Sequence, residues 1–203
     1  MSHSSLAEPV AARTGPDPTI TVPSRRNRLL ATAPRLAELF TLEQLTPELV
    51  AEAAQLGEAD FHAEFKTFGD FMAEVHHHYL EKILGRLIRD TGSMPPSADR
   101  ILRASLLQLD LCLEMAALRR LIMQARRQIP RVAEDLYKRN KGTSLMISLE
   151  LKTLGCKHPM VAARYWCQLV LEAAEIEADA GGKVMEARGM LVDFLHRTLA
   201  EKA

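Results

Sequence analysis

The sequence holds little that would build a sheet, a membrane span or a disulfide framework. Aromatics make up 5% of its 203 residues. Val and Ile are sparse, which argues against strands. No apolar run approaches the ~20 residues that a membrane-spanning helix needs, so no membrane partner is expected. Cys112, Cys156 and Cys167 are odd in number and show no C-x-x-C spacing. That excludes a zinc knuckle and a disulfide framework, and it makes a reducing cytoplasm the expected location. Net charge is absent as well, with 26 basic and 26 acidic residues. A globally basic coat for nucleic acid is thereby excluded, though a local patch is not. Residues 1–24 lack an apolar h-region and carry Pro9, Pro16, Pro18 and Pro23 among small polar residues. They read as a disordered arm rather than a signal peptide.

What is present favours helix. Ala, Leu, Glu and Arg dominate after Ser24, and apolar residues recur every three or four positions. Thr46-Pro47 is a cap followed by proline at the first helical position. Loops are marked by Thr91-Gly92-Ser93-Met94-Pro95-Pro96, by Gly155 with Pro159, and by Gly181-Gly182, while Pro130 cuts a long helical stretch. The spacing predicts an all-α fold of about nine helices, at 28–40, 47–54, 58–64, 67–90, 97–112, 114–128, 131–154, 159–179 and 183–201. Three short helices leading into longer ones predict a helix-turn-helix module followed by a bundle.

The register of residues 28–71 is more specific. Leu29 and Leu30 open an amphipathic helix that closes at Leu39-Phe40. Thr46, Val50, Ala51, Ala54, Leu56, Phe61 and Phe65 follow, with Thr67 ahead of the long helix. Over these roughly 45 residues the sequence resembles the TetR family of bacterial transcriptional regulators. That family's pattern is an apolar helix ending in Leu-Phe, a Thr cap on the second helix, Ile-Ala four residues on, Ala-Gly-Val at the turn, and an aromatic-rich recognition helix ending in Phe. The residues that would touch DNA depart from the pattern. Gln55 replaces the turn glycine, Gly57 the serine cap, and Ala59-Asp60 the small polar pair. His62 replaces a phosphate-contacting tyrosine, Glu64 a His or Tyr, and Phe68 a lysine.

The resemblance implies a helix-turn-helix domain over 25–68 and a ligand-binding and dimerisation domain over 69–203. It implies a DNA operator as partner and contacts from Thr46, Gly57, Glu58, Asp60, His62, Lys66 and Thr67. Charge opposes this, because residues 29–68 hold seven acids against two bases, a net of −5, where phosphate docking needs the opposite sign. Arg25, Arg26 and Arg28, just before the first predicted helix, are the candidate compensation, as an arm reaching phosphates or a minor groove. Two function classes follow. One is a dimeric transcriptional regulator responding to a small-molecule ligand. The other is a protein of the same fold that has lost DNA binding and serves as a ligand- or partner-binding module.

Other clusters read more plainly. His76, His77 and His78 are consecutive, and neighbours on a helix point about 100° apart, so they cannot converge on one ion. One Glu-x-x-His, Glu74 with His77, has no second copy for a di-metal bundle. No metal, cofactor or catalytic role is expected, since no nucleophile elbow, P-loop or dinucleotide glycine run occurs. Arg119, Arg120, Arg126 and Arg127 repeat at i, i+7 as one basic stripe. Residues 113–142 carry a net +5, read as a solvated face or as partners for the acidic module. Cys112, Met115, Met123, Tyr137, Met146 and Trp166 are candidates to line a ligand cavity. The last two predicted helices carry wide apolar stripes. Tyr165, Leu169, Ile176, Leu191, Phe194 and Leu195 are therefore expected at a homodimer interface.

Overall fold

The computed structural model describes residues 23–200. Among these there are nine α-helices and no strand. They are α1 (Arg25–Leu39), α2 (Pro47–Ala53), α3 (Glu58–Glu64), α4 (Phe68–Thr91), α5 (Ala98–Glu114), α6 (Ala116–Gln128), α7 (Pro130–Thr153), α8 (Pro159–Ala180) and α9 (Met185–Ala200). A short 3-10 turn, Leu42–Gln44, follows α1. No helix is long and apolar enough to cross a membrane. Most of the arm expected over residues 1–24 lies outside the described residues.

Local chemistry sets the boundaries. The Ser24 hydroxyl accepts from the Asn27 amide, so α1 starts at Arg25, three residues before the predicted start. Thr46 caps α2, whose first residue is Pro47. Thr67 and Asp70 exchange backbone and side-chain bonds at the head of α4, a capping box. Ser97 caps α5, Pro130 restarts the chain as α7, and Gly181 closes α8 at φ 68°.

The three short helices form one unit against the bundle. α1 packs on α2, α3, α4 and α6. Its core joins Leu29, Val50, Ala51 and Phe61 to Phe65 and Phe71, with the three phenyl rings 5.3–5.5 Å apart. In the bundle, α7 and α8 pack along each other, and α5, α8 and α9 close the far end. Trp166 lies buried there and donates its indole N–H to Ser105 at 3.1 Å.

Leu191 and Leu195 are 1% and 2% exposed within the single chain. They were expected at a dimer interface, and they belong instead to the intrachain core. An apolar stripe at helical spacing reports that a face is buried, but does not say by what.

Candidate functional site

The helix-turn-helix unit presents α3 outward. Phe61 anchors α3 in the core, while Glu58, Ala59, His62 and Ala63 face solvent. The turn before it depends on Gln55, whose φ of 56° is the left-handed conformation that glycine adopts without strain. Arg28 offsets that strain by donating to the Ala54 and Gln55 carbonyls, at 2.7 and 3.1 Å.

The arginines expected to reach DNA as an arm are part of α1 and grip the protein itself. Arg26 makes a two-pronged contact with Glu74 at 2.5 and 3.0 Å and donates to the Glu64 carbonyl at 2.7 Å. Its guanidinium lies 4.4 Å from the centre of the Phe65 ring. The Arg26 hydrogen bond holds Glu74 below the ordinary carboxylate range. Arg25 is the most exposed of the three and pairs with Asp60 at 3.2 Å.

These pairs change the sign argument drawn from sequence. Asp60 faces Arg25 and also accepts from the Gly57 amide at 3.1 Å. The Glu64 carboxylate lies 4.0 Å from Arg26. Glu58 has only His62, 3.6 Å away and one turn on. Two of the three α3 acids are thus covered by α1 cations, and Glu58 is the most open. Lys66 is exposed just beyond α3. Thr46 and Thr67 are engaged as helix caps, and Gly57 supplies the backbone at the head of α3.

Two contacts that sequence reasoning missed join α6 to this unit. The Leu42 amide donates to the Gln124 side chain at 3.3 Å, and the Gln128 amide donates to Glu43 at 3.2 Å. Their i, i+4 spacing was visible, but their partners lie 82 and 85 residues away in sequence. The basic stripe on α6 divides. Arg119 is buried and pairs with Glu175 of α8 at 2.8 Å, while Arg120, Arg126 and Arg127 are exposed. Further along, Arg131 pairs with Asp70.

The residues proposed for a ligand cavity do not converge. Tyr137 and Met146 of α7 are 70% and 69% exposed, whereas Trp166 is buried. Cys112 is buried beside Tyr79, whose hydroxyl lies 3.5 Å from the sulfur. Burial pushes the Cys112 thiol above its ordinary range and so keeps it protonated and unreactive. Met123 is half-buried against the core. Met115 lines an open groove of about 300 Å³ with Arg86, Arg89 and Leu111. A larger open groove of about 560 Å³ runs along α5, floored by Leu102, Leu106 and Leu107 and edged by Asp90, Asp99 and Asp110.

The residues proposed for a dimer interface also separate. Tyr165 and Ile176 are exposed, while Leu169 and Phe194 pack half-buried against the core. Leu145, Met146 and Leu149 of α7 and Val161 of α8 are exposed apolar residues as well.

His76 joins α4 to α7. It is 1% exposed, and its Nδ1 lies 2.9 Å from Asp135, which Arg139 also approaches at 3.4 Å. Burial, the largest influence, lowers its pKa, Asp135 raises it, and Arg139 and His77 lower it, with a net lowering. The fold therefore prefers neutral His76. Its contribution to stability is present above the ordinary histidine pKa and declines as pH falls below it. Urea titrations from about pH 7 to pH 5 should lose stability more steeply for wild type than for His76→Gln. The difference is bounded by one proton's worth, about 1.4 kcal/mol per pH unit. Parallel slopes would show that His76 protonates freely in the fold. Among the described residues, no three or more His, Cys, Asp or Glu side chains cluster as metal ligands.

No family model matches the sequence, and no curated protein does. Solved structures match throughout the fold. A transcriptional regulator from Rhodococcus sp. Rha1 aligns with TM-score 0.72 at 18% identity, over 88% of this chain and 98% of that one. A protein from Rhodococcus sp. described as a TetR-family transcriptional regulator aligns with TM-score 0.70 at 16% identity, over 86% and 98%. A TetR transcriptional regulator from Rhodococcus sp. RHA1 aligns with TM-score 0.55 at 16% identity, over 88% and 98%. The all-α arrangement reached above, three short helices carried on a six-helix bundle, is thus the fold of TetR-type transcriptional regulators.

Proposed function

We propose that this chain is a TetR-like transcriptional regulator, acting in the cytoplasm as a homodimer on operator DNA and responding to a small-molecule ligand. The observation that carries the reading is the exposed face of α3, with Asp60 and Glu64 approached by Arg25 and Arg26 of α1. A recognition helix needs a firm base and relief from phosphate repulsion, and these two arginines contribute to both. The solved proteins of the same fold are described as transcriptional regulators.

Dimerisation finds support in the exposed apolar residues of α7 and α8, among them Leu149, Val161 and Tyr165. A two-fold axis there would pair two reading heads on successive half-sites. The grooves beside α5 offer room for a ligand. The α6 contacts at Leu42 and Glu43 offer a connection from the bundle to the head. A ligand acts through such a connection only by binding one arrangement better than another.

The test is selection of bound duplexes from genomic fragments at low and moderate salt. The expected result is recovery of a recurring, two-fold symmetric site that survives the higher salt. Recovery of no recurring site would overturn the regulator reading and favour the module that has lost DNA binding.

A further inference from the structure

We propose that Glu58 and His62 are the base-reading pair of α3, and that together they select a cytosine–guanine pair in the operator half-site. The inference rests on the reading of the chain as a DNA-binding regulator and assigns the specificity of that same face.

Most outward side chains of the head are already engaged within the protein. Asp60 is held at both oxygens, by Arg25 on one side and by the Gly57 amide on the other. Glu64 lies toward Arg26. Thr46 and Thr67 are helix caps. Within α3 itself Glu58 and His62 remain, both about half exposed and 3.6 Å apart across one turn, while the exposed Lys66 lies beyond its end. An exposed pair of this kind is weak in water, so each group is free to exchange its partner for a base edge. Glu58 is also the first residue of α3. Residues at the start of a recognition helix are the ones that reach base edges in the major groove.

The chemistry of the pair then selects the base. A carboxylate only accepts hydrogen bonds, and in the major groove the cytosine N4 amine is a donor with no acceptor on its own base edge. The adenine amine is also a donor, but acceptors flank it on both sides, its own N7 and the thymine O4, whereas the cytosine amine has an acceptor, guanine O6, on one side only. Opposite cytosine, guanine presents N7 and O6, both acceptors, to a ring N–H of His62. One acceptor and one donor, side by side on the helix, thus match one C·G pair. Ala59 and Ala63 are exposed one turn apart. Their methyl groups offer apolar contact to thymine methyls at neighbouring steps.

The test is selection from a randomised duplex library with wild type, Glu58→Gln, His62→Ala and, as a control on the outer face of α1, Glu38→Gln. Wild type is expected to enrich cytosine at one position of each half-site. In Glu58→Gln the carboxylate becomes an amide that both donates and accepts, which matches adenine. Preference at that position should move from cytosine to adenine by roughly ten- to a hundred-fold, the discrimination of one good contact. His62→Ala should relax the choice there, and Glu38→Gln should select the wild-type site. Glu58→Gln selecting the wild-type site with unchanged preference would overturn the assignment while leaving the regulator reading intact. Wild type selecting no sequence at all would overturn both. All three side chains are on the surface, and circular dichroism checks that each variant is folded.

Discussion

Leu191→Ala is expected to lower the unfolding free energy by about 3 kcal/mol without dissociating a dimer. The side chain is 1% exposed in the single chain. Removing a fully buried leucine loses its transfer free energy and leaves a cavity, with costs of about 2–5 kcal/mol. Leu195, 2% exposed one turn on, belongs to the same core, so the double change should approach loss of folding. Tyr165→Asp should behave in the opposite way. That side chain is 63% exposed, so its replacement should give a folded species by circular dichroism that sediments as a monomer. Urea unfolding and sedimentation velocity on the two variants separate the outcomes. A Leu191→Ala protein with an unchanged urea midpoint and a lost dimer would place α9, rather than the exposed surface of α7 and α8, against the partner.

Arg188→Ala should cost about 3 kcal/mol, toward the lower end for breaking a buried ion pair. Glu177 is fully buried and Arg188 nearly so, and they meet at 2.5 and 2.9 Å. Arg188 also reaches Asp110 at 2.8 Å, which Lys183 approaches at the same distance. The edge of this network therefore opens to solvent and moderates the loss. Removing the arginine leaves a carboxylate with no cation in the core between α8 and α9. Replacing both partners together, Arg188→Met with Glu177→Leu, should recover most of the stability, because no charge is then stranded. A double variant no more stable than Arg188→Ala would mean that the arginine acts through packing rather than charge. The hydrogen bond from Arg188 holds Glu177 below the ordinary carboxylate range. The pair therefore stabilises at neutral pH, and its contribution is lost only as pH falls through that lowered value.

Much of the fold was legible in the residues because its determinants are local. Thr46-Pro47, Ser97, Pro130 and Gly181 cap or break the chain by bonds to their own neighbours, and the predicted boundaries agree with the helices there to within about two residues. The start of α1 was misplaced because Arg25, Arg26 and Arg28 read as an arm. Their charge suggested an external partner, while their acceptors lie 26 to 48 residues further along the chain. The ligand-cavity candidates dispersed for a related reason. Met and aromatic residues on a helix announce apolar surface, but whether Tyr137 or Trp166 turns inward depends on what packs across from it.

The sequence by itself determined that the chain is helical, where most of the helices begin and end to within about two residues, and that residues 28–71 hold the register of a helix-turn-helix unit. Caps, prolines and apolar periodicity act over a few residues, and that information is carried in the order of the amino acids. Only the tertiary structure decided which charges of the head are covered and which remain open. Composition counts Glu58, Asp60 and Glu64 as equal, but the fold brings Arg25 to Asp60 and Arg26 to Glu64 and leaves Glu58 with His62. It likewise turned Leu191 into the core and Tyr165 toward solvent. Coulomb interaction and burial depend on distance in space, and that distance is set by the packing of whole helices.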